Sequence, residues 1–353
     1  MKESKALIDQ TLRGERPART PVFDIICNTA VLEHFAQEQF DGVDDEHTVL
    51  AAIGRMIDGS RWLPTPGTPG DTYVDWMGTV MLKDRWTTWV KQHALPTLED
   101  WPAWIERTCA AFESLAPPAA TERSAERARQ EAFNARLNGT TFLHCTACSA
   151  LEVALYGTHC GLENFSYLWF DQRDLMLRWF AAIERRELRA IELAADAATA
   201  PFVMLFSDIA CKGRLLFGRE MLGEIGFFDN IARLCAAVHA HGLKAVFHSD
   251  GYIMEIVPDL IAAGVDGLNP IEKAAGMDIY EVRKRWPELI IVGGMDVTHL
   301  LRTATPAEVR RETRRIIAEV GAEGRLLIGS TTELEENVPL QNYLAFHTVV
   351  MQR

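Results

Sequence analysis

The sequence predicts an α/β protein, a (β/α)8 TIM barrel with an N-terminal helical and loop-rich elaboration, and three observations carry that expectation. Between residues 201 and 333 five apolar runs each end in a polar or acidic residue. They are PFVMLFSD at Asp208, LKAVFHSDG at His248 and Asp250, VDGLNPIE at Asn269 and Glu272, LIIVGGMD at Asp296, and RLLIGSTTE at Thr332 and Glu333. The stretches between them carry apolar residues at helical spacing. A chain of 353 residues is long enough to bury one barrel core with an N-terminal addition. Chemistry in such barrels sits at the C-terminal strand ends, so these runs aim a histidine, several carboxylates and a few hydroxyls into one mouth.

Taken in order, residues 1 to about 20 form a leading helix, and RTPVFDIICN forms a strand ending at Asp24 or Asn28. The stretch from about 60 to 100 is rich in Trp, Gly, Pro and Thr, which predicts short strands and loops folded over an opening. Residues 100 to 138 are helical, and their charged run ERSAERARQEAFNAR is a solvated face. From TTFLHC the β/α alternation begins, followed by two helical stretches through ENFSYLWFDQRDLMLRWFAAIERRELRAIELAADAATA. After the strand over 201–208 come a loop and the helix FFDNIARLCAAVHAHG, closed at Gly242. YIMEIVPDLIAAG ends at Gly264, Pro287 stops DIYEVRKRWP, and Thr305 caps TPAEVRRETRRIIAEVG ahead of Pro306. The whole chain, 1–353, is expected to be one domain, with 1–138 as its loop-rich N-terminal part and 139–353 as regular β/α units.

The net charge of -13, from 36 Lys plus Arg against 49 Asp plus Glu, is spread along the chain. That argues against nucleic acid and anionic membrane surfaces, both of which call for basic patches. No uncharged apolar stretch of about 18 residues occurs, so no bilayer span is expected. Seven cysteines are an odd number, and the N-terminal stretch lacks a signal-peptide pattern, which together predict the reducing cytoplasm. Cys145 and Cys148 form a CxxC without a second pair, so two small apolar residues in a packed turn compete there with a zinc site.

His248 and Asp250 stand two apart at a strand end, so an extended backbone points both to one side, as half of a metal site. The alternative is that Asp250 turns the chain with Gly251 and leaves His248 as a hydrogen-bonded barrel residue. Glu272 comes one β/α unit later and could share an ion with His248, or else pair with Lys273. Asp208, Asp296 and Glu333 are further acidic strand ends, suited to orienting a ligand or moving a proton. Trp62, Trp76, Trp86 and Trp89 in the loop-rich segment suit an aromatic or methylated-amine guest, against the competing role of core packing.

Pieces spread from about Pro21 to the end resemble the uroporphyrinogen decarboxylase superfamily, within its branch of corrinoid-dependent methyltransferases and O-demethylase methyltransferase components. They are RTPVFDIICN, YVDWMGTV, GLENFSYLWFDQRDLM, HAHGLKAVFHSDG, PDLIAAGVDGLNPIEKAAGMDI, VGGMDVTHLLRTATPAEVRRETRRII and ENVPLQNYLAF. The resemblance implies a barrel with its site at the C-terminal mouth. Decarboxylases of the superfamily share an Arg-rich opening segment that grips substrate carboxylates. Here PVFDIICNTAVLEHF contains no arginine, which disfavours decarboxylation of a porphyrinogen.

The methyltransferase branch implies zinc held by His-x-Cys and a later Cys, and a corrinoid carried by a partner protein. This chain has His248-Ser249-Asp250 at the first place, Thr332 nearest the last, and Val297 after GGMD where a Cys often stands, so an oxygen-rich zinc site is the version implied. The expected function is transfer of a methyl group from a small methylated compound, such as a methoxylated aromatic, to a corrinoid, or from the methylated corrinoid to an acceptor. Cleaving a methyl ether leaves an alkoxide or phenolate, which needs a Lewis acid or a general acid. The expected site has Asn28, Asp208 and Asp296 as catalytic residues, Trp76, Asn269, Thr332 and Glu333 against substrate, and His248, Asp250 and Glu272 on the metal. Two alternatives stay open: metal-free decarboxylation of a smaller substrate, with Asp208 or Asp296 and His248 as acid and base, and a non-catalytic barrel that docks a corrinoid protein.

Overall fold

The structure, a computed structural model, describes residues 4–40 and 46–352. Its strands are β1 (Gly59–Ser60), β2 (Thr72–Val74), β3 (Val80–Lys83), β4 (Thr88–Gln92), β5 (Thr141–Phe142), β6 (Thr146–Cys148), β7 (Phe202–Phe206), β8 (Ala210–Cys211), β9 (Arg214–Leu215), β10 (Lys244–His248), β11 (Gly267–Asn269), β12 (Ile290–Met295) and β13 (Leu326–Ser330). Six of them form one parallel sheet in the order β13-β12-β11-β10-β7-β6, with helices in the connections. β7, β11 and β13 are almost wholly buried along their length, which is why they read as unbroken apolar runs rather than as alternating ones.

Pairing continues beyond this sheet. Val22 bridges Ile328 of β13, Phe23 bridges Gly59 of β1, and β1 pairs in parallel with β5, just ahead of β6. The predicted strand RTPVFDIICN is therefore reduced to isolated bridges, with Ile26 also bridging Leu334. Gly329 makes the first of these contacts possible, because a Cβ there would collide with the Phe23 carbonyl oxygen. Asp24 locks the same junction: its buried carboxylate accepts the Ser330 backbone N–H at 2.9 Å and the Ser330 hydroxyl.

Two apolar clusters divide the interior. The smaller joins Phe23, Phe202, Met204, Val246, Ile290, Val292 and Leu327 to Ile8 and Leu12 of the helix Ser4–Leu12. These strand residues alternate along β7, β10 and β12, so they share one face of the sheet, and the first helix covers the N-terminal end of that face. The larger cluster lies on the other face, where the helices pack. By the same alternation, Phe206 follows Met204 and His248 follows Val246 on the first face at the C-terminal end.

Most predicted helices are present. The stretch after CxxC becomes Gly161–Asp171 and Arg173–Ala194, and the later helices are Phe227–Ala240 and Pro306–Glu319, the last with its Thr305–Glu308 capping box. In the charged helix Ala120–Ala135 only Gln130 is buried, as a solvated face requires. Cys145 and Cys148 flank a short strand that Ser149 caps into a helical turn, and both thiols are free. Among the described residues, no helix is long and apolar enough to cross a membrane.

The Trp-rich segment folds as an antiparallel sheet, β2-β3-β4. It is fastened at three points: Trp86 Nε1 donates to Glu336 at 2.5 Å, Arg85 Nε to Thr29 at 2.9 Å, and His159 meets Asp75 at 2.9 Å.

Candidate metal centre and its mouth

Strand register brings the site together. Cys148 pairs with Phe206, Phe206 with His248, and His248 with Asn269, so four neighbouring strands end level with one another. The residues just beyond these ends, Asp208 and Asp250, then face His248. One ligand atom from each of Asp208, His248 and Asp250 lies within 4.8 Å of the others.

The imidazole is held in one form. Asn269 Nδ2 donates to the Val292 carbonyl at 2.9 Å, which turns Oδ1 toward His248 Nδ1 at 2.6 Å. An amide oxygen only accepts, so Nδ1 carries the proton and Nε2 keeps its lone pair. Nε2 stands 3.7 Å from Asp208 Oδ1. Burial pushes the His248 pKa down to about 4, against the pull of Asp208, so the ring is neutral at ordinary pH. A neutral imidazole with its second nitrogen fixed by a hydrogen bond is the form that ligates a metal.

The carboxylates are less satisfied. Asp208 Oδ1 accepts the Asp250 backbone N–H at 3.0 Å, and the Asp208 N–H donates to Glu152 Oε2 at 2.7 Å. Asp250 Oδ1 is buried with no hydrogen-bond partner. Burial, then the charges of Asp208, Glu272 and Glu333, push the Asp250 pKa up to about 7; burial and Asp208 bring Glu152 to about 7 as well. A buried carboxylate oxygen without a donor is costly unless it meets a cation or a proton. Arg61 is the cation nearby: its guanidinium stacks 4.7 Å from the Phe206 ring centroid, and that ring lies 4.7 Å from the His248 imidazole.

Four sequence expectations are corrected here. Glu272 does not join the ligand group, because β11 stops at Asn269 and Glu272 Oε2 instead accepts the Gly251 N–H at 2.8 Å. Gly251 sits at φ 90, where a Cβ would lie 2.6 Å from the Ala210 carbonyl carbon, so only glycine makes that turn. Asp208, expected as an acid or base, stands with His248 and Asp250 in the group that could hold an ion, where Glu272 was expected. Asn28 is consumed as a helix cap, accepting from Val31 N and donating to the Glu335 and Val338 carbonyls, so no atom is left for catalysis. Asp296 likewise caps a helical turn through Thr298 and His299 N–H groups and lines a separate cavity with Lys273, Tyr280 and Glu312.

The substrate-side residues are more dispersed. Trp76 is 59 % exposed, with its ring 6.0 Å from Trp104 on the helix Trp101–Glu113, which turns it toward that helix rather than toward His248. Asn269 orients His248. Thr332 and Glu333 are half-buried after β13, and Glu333 lines a cavity of about 310 Å³ with Trp62, Lys83, Arg85 and Trp86.

Comparison with known proteins adds a likeness of fold. A methyltransferase from Methanosarcina mazei shares this fold. It superposes with a TM-score of 0.62 at 13 % identity, covering 99 % of this chain and 98 % of that one. A uronate isomerase from Bacillus halodurans C-125 gives a TM-score of 0.32 at 9 % identity over 99 % of this chain and 87 % of that one, too low to bear on the fold. No family model and no curated protein matches the chain.

Arg61 and Glu152 went unread in the sequence. Arg61 follows a strand of two residues inside the loop-rich stretch, where no alternation marks it. Glu152 had one available signal, an acidic residue three after the cap Ser149.

The strain at Asp250 predicts an opposition between stability and function. Its pKa is raised in the folded protein, so the penalty is absent below the unfolded value of 3.8, grows between there and about 7, and is constant above it. Asp250→Asn is expected to stabilise the metal-free protein by roughly 1–3 kcal/mol at alkaline pH and by little in acid, while weakening metal binding. Urea melts of chelator-treated protein at about pH 4.5 and 8 test this. A gap that does not widen with pH contradicts it.

Proposed function

We propose that this chain is a corrinoid-dependent methyltransferase of the O-demethylase type, a cytoplasmic single-domain protein folded as a closed (β/α)8 barrel. It moves a methyl group between a small methylated compound and a corrinoid carried by a partner protein. The closed barrel is supported by the parallel pairings that lead from β13 through Val22 and Phe23 to β1 and β5. The fold shared with the Methanosarcina mazei methyltransferase supports the reaction class.

One observation carries the proposal: the buried, unpartnered Asp250 Oδ1 beside Asp208 and the lone pair of His248 Nε2. The donor set, one imidazole nitrogen and carboxylate oxygens, fits zinc, which takes such ligands and keeps a position for substrate in catalytic sites. His248, Asp208 and Asp250 would hold it, and when bound it supplies a Lewis acid for the oxygen that gives up its methyl group. In that step the C–O bond breaks, the methyl passes to the reduced corrinoid, and the oxygen leaves with the electron pair.

The chain's own residues set the conditions. Asn269 fixes the His248 tautomer, and Glu152 orients Asp208 through its backbone. Glu333, held above its usual range by burial, is the carboxyl assigned to return a proton to the departing oxygen, with Thr332 beside it.

Two measurements test the proposal. Metal analysis of protein purified without chelators is expected to find one zinc per chain. Visible spectra of a Co(I) corrinoid protein are expected to show methylation with methoxyarenes and this protein present. Full activity in metal-free protein overturns the zinc site, and no methylation across a broad methoxyarene panel overturns the methyltransferase.

A further inference from the structure

Arg61 is a charged side chain in the mouth whose partner is missing from the fold. Burial opposes its charge, and the groups that favour it are, in order, Glu333, Asp250, Asp208 and Cys27. None of them reaches it with a hydrogen bond, and its guanidinium lies over the Phe206 ring. A guanidinium stacked on a ring keeps its in-plane N–H fork free, and that fork matches a carboxylate in shape and charge. The other arginines near the cover are already engaged. Arg85 donates to Thr29 and lies over Phe40 and Trp86.

The surroundings limit what the fork can hold. Trp62, the next residue in the chain, and Trp86 line the cavity of about 310 Å³ that also reaches Glu333, the first of the anions that favour the Arg61 charge, so two indoles stand beside that anion. Such walls favour a flat aromatic guest. On the other side of Arg61, Phe206 separates it from His248 by one ring. An acid set on Arg61 would therefore have the group of Asp208, His248 and Asp250 one ring away. A divalent ion would absorb the charge of those two aspartates, leaving Arg61 with Glu333 as its remaining anion.

We propose that Arg61 is the specificity residue of this mouth and selects methylated aromatic acids, taking the carboxylate while the methylated oxygen faces Asp208, His248 and Asp250. The fate of the methyl group rests on the proposed methyl transfer; the carboxylate contact does not.

Calorimetric titration of the full-length, zinc-loaded protein with ortho-, meta- and para-methoxybenzoate, each against the matching methoxybenzyl alcohol, tests it. At least one acid is expected to bind roughly tenfold to a hundredfold more tightly than its alcohol, the range of a charge-assisted hydrogen bond. Arg61→Met is expected to erase the difference and Arg61→Lys to keep part of it, with circular dichroism confirming that both variants fold. Acids that bind no better than their alcohols, or a preference that survives in Arg61→Met, overturn the proposal. An acid that binds through Arg61 yet methylates no corrinoid leaves the Arg61 assignment standing and removes the methyl transfer. Equal transfer from methoxybenzoates by wild type and Arg61→Met does the reverse.

Discussion

His248→Ala is expected to strip the metal from the protein and reduce methyl transfer to background, while the chain still folds. The ring is 3 % exposed and gives both of its nitrogens defined tasks, Nδ1 to Asn269 and Nε2 toward Asp208. Its removal leaves Asn269 Oδ1 without its donor, a cost of about 1–3 kcal/mol that a protein of this size tolerates. Asn269→Ala is the informative companion, because it keeps the ligand while freeing its tautomer and giving up the bond to the Val292 carbonyl. Metal affinity is then expected to fall by about ten- to a hundredfold, with His248→Ala falling further. Acid should release the metal in a matching order. His248 keeps its lone pair down to about pH 4, whereas Asp250 competes for a proton from about pH 7 downward, so affinity declines first through Asp250. Zinc content by mass spectrometry across pH measures both effects, and full occupancy in His248→Ala would remove His248 from the site.

At the opposite end of the sheet, Asp58→Ala is expected to be the most destabilising single change outside the site, by about 3–5 kcal/mol. Asp58 is fully buried just before β1, and its carboxylate accepts Arg19 Nη1 and Nη2 at 2.5 and 2.6 Å, Ser4 Oγ at 2.9 Å and Val22 N at 2.9 Å. One side chain thus joins the first helix, the segment that bridges β13, and β1. Alanine leaves the Arg19 guanidinium, 17 % exposed, without its counter-charge. Asp58→Asn retains the shape and one acceptor, so its loss should be smaller. Urea denaturation of the three proteins ranks them, and a loss below about 1 kcal/mol for alanine would mean that water replaces the carboxylate.

What could be read from the sequence follows from burial. β7, β12 and β13 lie deep in the sheet, so their apolar runs and the polar residues that end them are plain in one dimension. Asp208, His248 and Asp250 were legible for that reason. Glu272 misled because alternation was carried past Asn269, where the strand stops. Asn28 and Asp296 could have been recognised as caps, since Asn and Asp ahead of a helical turn satisfy its first N–H groups more often than they do chemistry. The strand around Val22 and the two-residue β1 are too short to show any period, and Arg61 is hidden with them. The tautomer lock at Asn269 depends on a carbonyl 23 residues away, which no local pattern reveals.

The segment after β13 ties two parts of the molecule to one piece of chain. Glu333 faces Arg61 in the mouth, and Glu336, one short turn later, grips Trp86 of the antiparallel cover and the Thr29 backbone with the same carboxylate oxygen. The cover and the mouth thus share one anchor: the Trp86 indole that walls the cavity is held three residues away from the Glu333 carboxyl that lines it.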